Sequence, residues 1–404
     1  MPSKKEITSY VDMMALKQKL LKDLAYKLNK HDYLVAINDP HARRLPRACG
    51  ITIHTAIGCP NACLYCYIQD MGFEFKEAKP YPLNEIQIVI ALLANEYFLP
   101  KLTYLAFGSI SDPFISKIVA ERTLEYIETT SKILGNPIQF STKAILVEEY
   151  IKRMSLYKNI ICPLVTIVSI NKSKSNVLEP RAPSPESRLA LIKSLSKNGF
   201  KPFLFLRPLM PGINTDEIDD LLTEAKSNNA YGVIVGGFRI TKRIIERLRR
   251  AGFNISEIIR RTPVKRLSNK QINVKLSDIK REALEIAREK GLRAVLSACC
   301  AMTLVLNAYG KETPCANCCY ANGMCVERYC GNNCKAKISK LPLDDLKVAV
   351  ERTTNSKIKD IEVKRLEVVI TLREKPRHKG RKEHIIGLTR MLSTLYRYKI
   401  TLKW

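Results

Sequence analysis

What this sequence has little of narrows it first. No apolar run approaches 18 residues, which excludes a helix that spans a bilayer. The opening stretch MPSKKEITSYVDMMALKQKL is polar and helical in pattern, unlike a secretion signal, so a cytoplasmic protein with no membrane partner is expected. Low-complexity tracts are lacking, and the only internal period is an alternation of strand and helix signals. Acidic side chains are scarce beside basic ones, 39 against 67, for a formal charge of +28. Such an excess favours a polyanionic partner, because phosphate contacts release condensed counterions. The plainer alternative is a basic, solvated surface of a heat-adapted protein, with which the presence of only five Gln agrees.

The charge is unevenly placed. Residues 1–48 carry 10 basic and 5 acidic groups, and residues 335–404 carry 19 and 8. The segment 241–270 carries 10 and 2. A nucleic acid, either DNA or a structured RNA such as tRNA, is the partner expected of these two later segments.

Cysteine, by contrast, is plentiful. Thirteen thiols in a reducing compartment are read as metal ligands before disulfides. Cys59, Cys63 and Cys66 lie in GCPNACLYCY with spacing C-x3-C-x2-C. Four thiolates would close a site, whereas three leave one iron of a [4Fe–4S] cluster open to an external ligand. A zinc site usually adds a second Cys or His pair, and His54 is the one nearby candidate. The open cluster is therefore the reading adopted, with buried or zinc-binding thiols as the alternative.

From residue 51 the chain alternates: strands ITIHTAI, LTYLAFG, PIQFSTK, IICPLVTIVSI, KPFLFLRPLMPG and YGVIVGG, with helices between them. Six βα units with near-continuous Val, Ile and Leu strands predict an α/β fold, a partial (β/α)6 TIM-type barrel with functional residues at the C-terminal strand ends. The expected divisions are 1–48, an N-terminal helix and linker; 49–290, the barrel; 291–334, a Cys-rich metal-binding segment; and 335–404, a small basic α+β domain.

The cysteine spacing, with Tyr65 before the third cysteine on the first loop of a βα series, resembles the radical SAM superfamily. That resemblance implies that Cys59, Cys63 and Cys66 hold a [4Fe–4S] cluster and that Tyr65 packs near the adenine of S-adenosylmethionine (SAM). It also implies reductive cleavage of SAM to a 5′-deoxyadenosyl radical, with electrons from a donor such as ferredoxin or flavodoxin. AFGSISDPF, STK, VSIN, and LEPRAPSPESRLALIKSLSKNGF followed by RPLMPGINTDE resemble the spore photoproduct lyase-like branch, also labelled DNA repair photolyase-like. On that resemblance Gly108, Ser109, Asp112, Lys143, Ser169, Arg181 and Arg207 are candidate cofactor contacts. Asp112 has a plainer reading as a helix start, and Arg181 and Arg188 as partners of Glu179 or Glu186. The branch's named enzyme has a hydrogen-donating cysteine where this chain has Ser109, so thymine-photoproduct repair is not carried over. Cys49 and Cys162 are conceivable substitutes, the latter read as core, and the catalytic residue stays open.

A second set, Cys315, Cys318, Cys319, Cys325, Cys330 and Cys334, crowds twenty residues, with Cys299 and Cys300 upstream. An auxiliary iron–sulfur cluster or a structural zinc is expected there, and Cys299 with Gly310 and Cys315 resembles the opening of the SPASM pattern. Three functions follow: a radical SAM enzyme modifying or repairing nucleic acid, a radical SAM enzyme modifying a peptide or protein, or a non-catalytic nucleic-acid-binding metalloprotein.

Overall fold

The computed structural model describes residues 9–47, 50–72, 77–264, 266–311, 341–364, 367–376 and 381–404. The chain enters through α1 (Tyr10–Ala25) and α2 (Lys30–Asn38), capped by the side chains of Ser9 and Asn29. It then builds seven strands: β1 (Ile51–Ile53), β2 (Leu105–Phe107), β3 (Ile138–Thr142), β4 (Ile161–Thr166), β5 (Phe203–Leu206), β6 (Gly232–Val235) and β7 (Arg293–Val295). They lie side by side in chain order, each pair parallel, with β1 and β7 at the two edges. All six residues of β4 are buried, as a strand covered on both faces requires.

The connections carry α3 (Glu85–Ala94), α4 (Lys117–Ile133), α5 (Glu148–Ser155), α6 (Lys172–Leu178), α7 (Pro185–Lys197), α8 (Ile218–Ser227), α9 (Lys242–Arg250) and α10 (Ser277–Glu289). Local chemistry starts several of them. Asn84 and Gln87 form a reciprocal capping box on α3, and Ser184 caps α7 with Pro185 in its first turn.

The structure extends the barrel beyond the sequence-based boundary at 290. A seventh strand, β7, pairs with β6, and α11 (Ala298–Ala308) follows it. Every residue of α11 from Cys299 to Leu306 is buried, the mark of a helix enclosed on all sides. It packs against β3, β4, β6 and β7 within the curve of the sheet, and its Thr303 hydroxyl meets the Tyr104 hydroxyl at 3.0 Å.

Beyond residue 340, α12 (Leu343–Thr354), β8 (Ile358–Val363), β9 (Glu367–Leu372), α13 (Arg381–Tyr396) and β10 (Lys399–Lys403) form a small α+β unit. Its central β9 is antiparallel to β8 and parallel to β10. Its core takes in Tyr10 and Met13 of α1 and Tyr97 and Leu99 ahead of β2, so both ends of the chain share one apolar cluster. Among the described residues no helix is long and apolar enough to cross a membrane.

Candidate active site

The loop after β1 leaves the sheet with Gly58 at φ +85° and bends again at Ala62, φ +50°. Neighbouring elements hold it. The Ser111 hydroxyl donates to the Gly58 carbonyl, Leu64 N–H donates to Leu178 O at 2.9 Å, and Gln69 Nε2 donates to Cys63 O at 2.8 Å. From the far side, Arg247 of α9 donates through Nε to Leu64 O and through Nη2 to Cys66 O, both at 2.9 Å. Its Nη1 pairs with Asp70 Oδ1 at 2.9 Å, and the Thr241 hydroxyl, which also caps α9, donates to the same carboxylate.

So held, Cys59, Cys63 and Cys66 line one cavity of about 120 Å3 together with Asn61, Tyr65, Gly108, Ser109, Asp112 and Lys143. Burial pushes the Cys63 thiol up to about 12, countered in part by the Lys143 charge. Burial also raises Cys59, while backbone hydrogen bonds from Asn61 and Asp112 pull the other way. Lys143 is part-buried, which works against its charge, but Cys63, Glu179 and Asp112 outweigh that and hold its pKa above the ordinary lysine value. It therefore presents an ammonium to the cavity.

Behind that ammonium lies a buried polar web. Glu179, 1% exposed, stands 3.8 Å from Lys143 Nζ and 2.6 Å from Arg188 Nη1, and accepts from the Tyr65 hydroxyl. Arg188 is wholly buried and also donates to Thr166 O at 2.9 Å and to Ser175 Oγ at 3.1 Å. Lys143 Nζ lies 5.8 Å from the centre of the Tyr65 ring, within cation–π range.

The structure brings together most, but not all, of the expected residues. Gly108 turns at φ +84°, and a Cβ there would stand 2.4 Å from Ser141 O, so only glycine lets the ends of β2 and β3 come this close. Ser109 lines the cavity. Asp112 accepts from Thr142 Oγ1 at 2.7 Å, Lys143 N–H at 2.6 Å and Phe114 N–H at 3.0 Å, which makes it a strut between strand ends. Ser169 is fully buried and donates to Glu217 Oε2 at 2.6 Å; it lines neither the cysteine cavity nor the wider mouth above it. Arg181 is exposed and lines neither of them, so the buried arginine of that segment is Arg188. Cys162 is wholly buried within β4. Cys299 and Cys300 open α11, whereas Cys49, Cys315, Cys318, Cys319, Cys325, Cys330 and Cys334 lie outside the described residues. Glu179, read from the sequence as a partner of Arg181 or Arg188, is paired with Arg188, whereas Arg247 carries no motif of its own and only its long-range partners reveal it.

Above this cavity the barrel opens into a mouth of about 510 Å3, where Arg207 does lie, with Arg47, Lys143, Arg239 and Ala298 of α11. Apolar side chains such as Phe107, Leu164, Phe205 and Phe238 form much of its wall, interspersed with Thr52, Gln139, Ser141 and Thr166. Among the described residues no Asp or Glu lines it.

Fold and site together define a partial-barrel protein whose first strand-end loop gathers three thiols under a cavity. Residues 53–225, somewhat under half of the chain, match the model of the radical SAM superfamily, whose members are enzymes using a [4Fe–4S] cluster and SAM. It is 25% identical over 176 residues to the uncharacterized protein ORF301 of Acidianus two-tailed virus, covering 40% of this chain and 56% of that one. It is 24% identical over 213 residues to an uncharacterized protein of Mycobacterium tuberculosis, covering 50% and 62%. The match thus spans less than two thirds of these relatives' own length. Among solved structures, a spore photoproduct lyase variant with bound AdoMet and dinucleoside spore photoproduct is similar at a TM-score of 0.49 and 16% identity, over 68% of this chain and 91% of that one.

The residues present fit the cofactors of the superfamily. Three cysteine thiols supply the soft donors that iron–sulfur clusters take. Asn61 Oδ1, buried between Cys59 and Cys63 on the cavity wall, has no hydrogen-bond partner among the described residues and is available to a bound group. No three His, Cys, Asp or Glu side chains among the described residues are gathered about a single point as the ligands of one ion would be. A cluster instead spreads its thiolates over separate irons.

Proposed function

We propose that this protein is a radical SAM enzyme of the spore photoproduct lyase-like branch that modifies or repairs a nucleic acid. The observation that carries the chemistry is the convergence of Cys59, Cys63, Cys66 and the Lys143 ammonium on one cavity at the strand ends. Cys59, Cys63 and Cys66 would hold the cluster. Lys143 would face the carboxylate of SAM, its charge kept in place by Glu179. Tyr65, its hydroxyl tied to Glu179, gives the cavity a fixed aromatic wall. When bound, the cluster and SAM would supply a 5′-deoxyadenosyl radical after one-electron reduction of the cluster by a low-potential donor such as ferredoxin or flavodoxin.

The nucleic-acid substrate is supported by the mouth, where Arg47, Arg207 and Arg239 stand with no carboxylate among the described lining residues. A base inside a duplex would have to be extruded to reach it. The chemistry is tested by incubating anaerobically reconstituted, dithionite-reduced protein with SAM. Wild type is expected to produce 5′-deoxyadenosine, and the C59A/C63A/C66A triple variant none; equal yields remove the enzymatic reading. Turnover of oligonucleotides and not of a peptide library supports the substrate class, and the reverse result replaces it with a peptide.

A further inference from the structure

From the barrel mouth a groove of about 790 Å3 continues toward the C-terminal unit. Four arginines from distant parts of the chain line it. Arg44 and Arg47 come from the linker before β1, Arg239 from the segment after β6, and Arg390 from α13. Among the described residues no Asp or Glu contributes to its wall. Arg47, Arg239, Tyr67 and Ser109 line both groove and mouth, so the two spaces are continuous.

The arginines are oriented in part by neutral groups. Arg44 Nη1 lies 2.8 Å from His54 Nε2, and burial, with Arg44 beside it, depresses His54 to about 3, which leaves that ring uncharged. Arg239 Nη1 donates to Gln271 Oε1 at 3.3 Å. Arg390 Nη1 donates to the Pro46 carbonyl, which fastens α13 to the linker. Asp39, whose charge acts on Arg44, is engaged by the His41 ring at 2.6 Å and the Tyr81 hydroxyl at 2.8 Å. Burial lowers the pKa of Arg44 and Arg47 lowers it further, while Tyr81 and Asp39 oppose this. Two guanidinium groups that repel one another on a groove wall are relieved by an anion bound beside them.

We propose that this groove is a track for a phosphodiester backbone, in which Arg44, Arg47, Arg239 and Arg390 hold the phosphates flanking the nucleotide that enters the mouth. The proposal rests on the nucleic-acid reading given above. It assigns the linker and α13 a task in substrate binding and makes the substrate a polyanion several nucleotides long. Guanidinium forks match phosphate oxygens two at a time. Each phosphate so neutralised on a single strand adds about 0.7 to the slope of log K against log salt.

The test is fluorescence anisotropy of single-stranded DNA and RNA dodecamers with the full-length, cluster-loaded protein across a KCl series. The R47Q/R239Q variant is expected to weaken binding at least ~10-fold and to flatten the slope by about 1.4, two phosphates' worth. R47K/R239K is expected to recover most of the slope, which separates lost charge from lost folding. K193Q/K197Q, on the exposed face of α7, is expected to stay within about twofold of wild type. Wild-type binding that R47Q/R239Q leaves intact, or that K193Q/K197Q weakens as much, overturns the groove while the nucleic-acid reading stands. Competition by polyglutamate at equal charge also overturns it, in favour of an acidic peptide. If wild type binds neither oligonucleotide, the nucleic-acid reading falls and the groove proposal falls with it.

Discussion

Glu179 is the residue on which most of the site's charge depends. It is the carboxylate between the part-buried Lys143 and the buried Arg188, and the acceptor of the Tyr65 hydroxyl. Breaking a buried ion pair by removing one partner leaves an uncompensated charge and costs about 3–5 kcal/mol, whereas replacing both with apolar groups of similar volume is often neutral. Glu179→Ala is therefore expected to lose that much in urea unfolding, and Glu179→Leu with Arg188→Met to lose much less. Equal losses would mean that packing rather than charge is at stake. Lys17 on α1 makes a pH-dependent case. Burial lowers its pKa from 10.5 to about 8, with Glu96 opposing the shift, and its amine donates to the Asn95 carbonyl. The unfolded chain thus binds this proton more tightly than the folded one, and the cost to stability is complete below pH 8. It is relieved as pH rises from 8 to 10.5, so stability gains there. The shift corresponds to about 3 kcal/mol. Lys17→Met is expected to stabilise the protein at pH 7 by about 1–3 kcal/mol, less than the full shift because the Asn95 hydrogen bond is lost. It is also expected to remove the rise between pH 8 and 10.5, as read from denaturation midpoints across that range.

At the scale of elements, α9 clamps the cysteine loop although some 180 residues of chain separate them. Arg247 satisfies the carbonyls of Leu64 and Cys66 and pairs with Asp70, whose side chain is nearly buried. Hydrogen bonds involving a charged group are worth about 1.5–3 kcal/mol each. Arg247→Ala is accordingly expected to lower iron retained per chain after reconstitution and gel filtration and to speed proteolysis within 59–72, with Arg247→Lys intermediate. Unchanged iron content would relieve α9 of this task. Nothing local in KRIIERLRR marks Arg247 among its neighbours, which is why the segment reads only as basic. The βα alternation and the cysteine loop were legible because each is a local pattern: apolar runs of strand length, and thiols at fixed spacing. β7 was not, being three residues long with Arg293 exposed. Nor was α11, because ACCAMTLVLNA is apolar all round and offers no face from which to read a period. The motifs that placed Gly108, Ser109 and Lys143 on the cavity also suggested Ser169 and Arg181. The first is taken up by Glu217, and the second stands in solvent.

For the whole molecule, the informative feature is that the two chain ends share a core distinct from that of the barrel. Asp345 at the start of α12 accepts from the Tyr10 backbone N–H at 2.8 Å and from the Tyr396 hydroxyl at 2.7 Å, so a single carboxylate ties α1, α12 and α13. Tyr97 and Leu99, which precede β2 of the barrel, are buried in the same cluster. The C-terminal unit is thus seated on the barrel through α1 and this short segment, and Arg390, which lines the groove, is carried with it. Asp345→Ala removes the acceptor of both bonds and leaves two donors facing an apolar core, a cost of about 1–3 kcal/mol for each group. Because few elements bridge the two cores, the loss should fall on the smaller one. Thermal unfolding is expected to split into an early transition for residues 341–404 and a later one for the barrel, with the iron–sulfur absorbance persisting through the first. If the groove needs Arg390 in place, oligonucleotide affinity should fall over that first transition, before the cluster is lost. A single transition in which absorbance and affinity vanish together would show instead that the chain folds as one cooperative unit, with α1 too firmly packed to be released by the loss of Asp345.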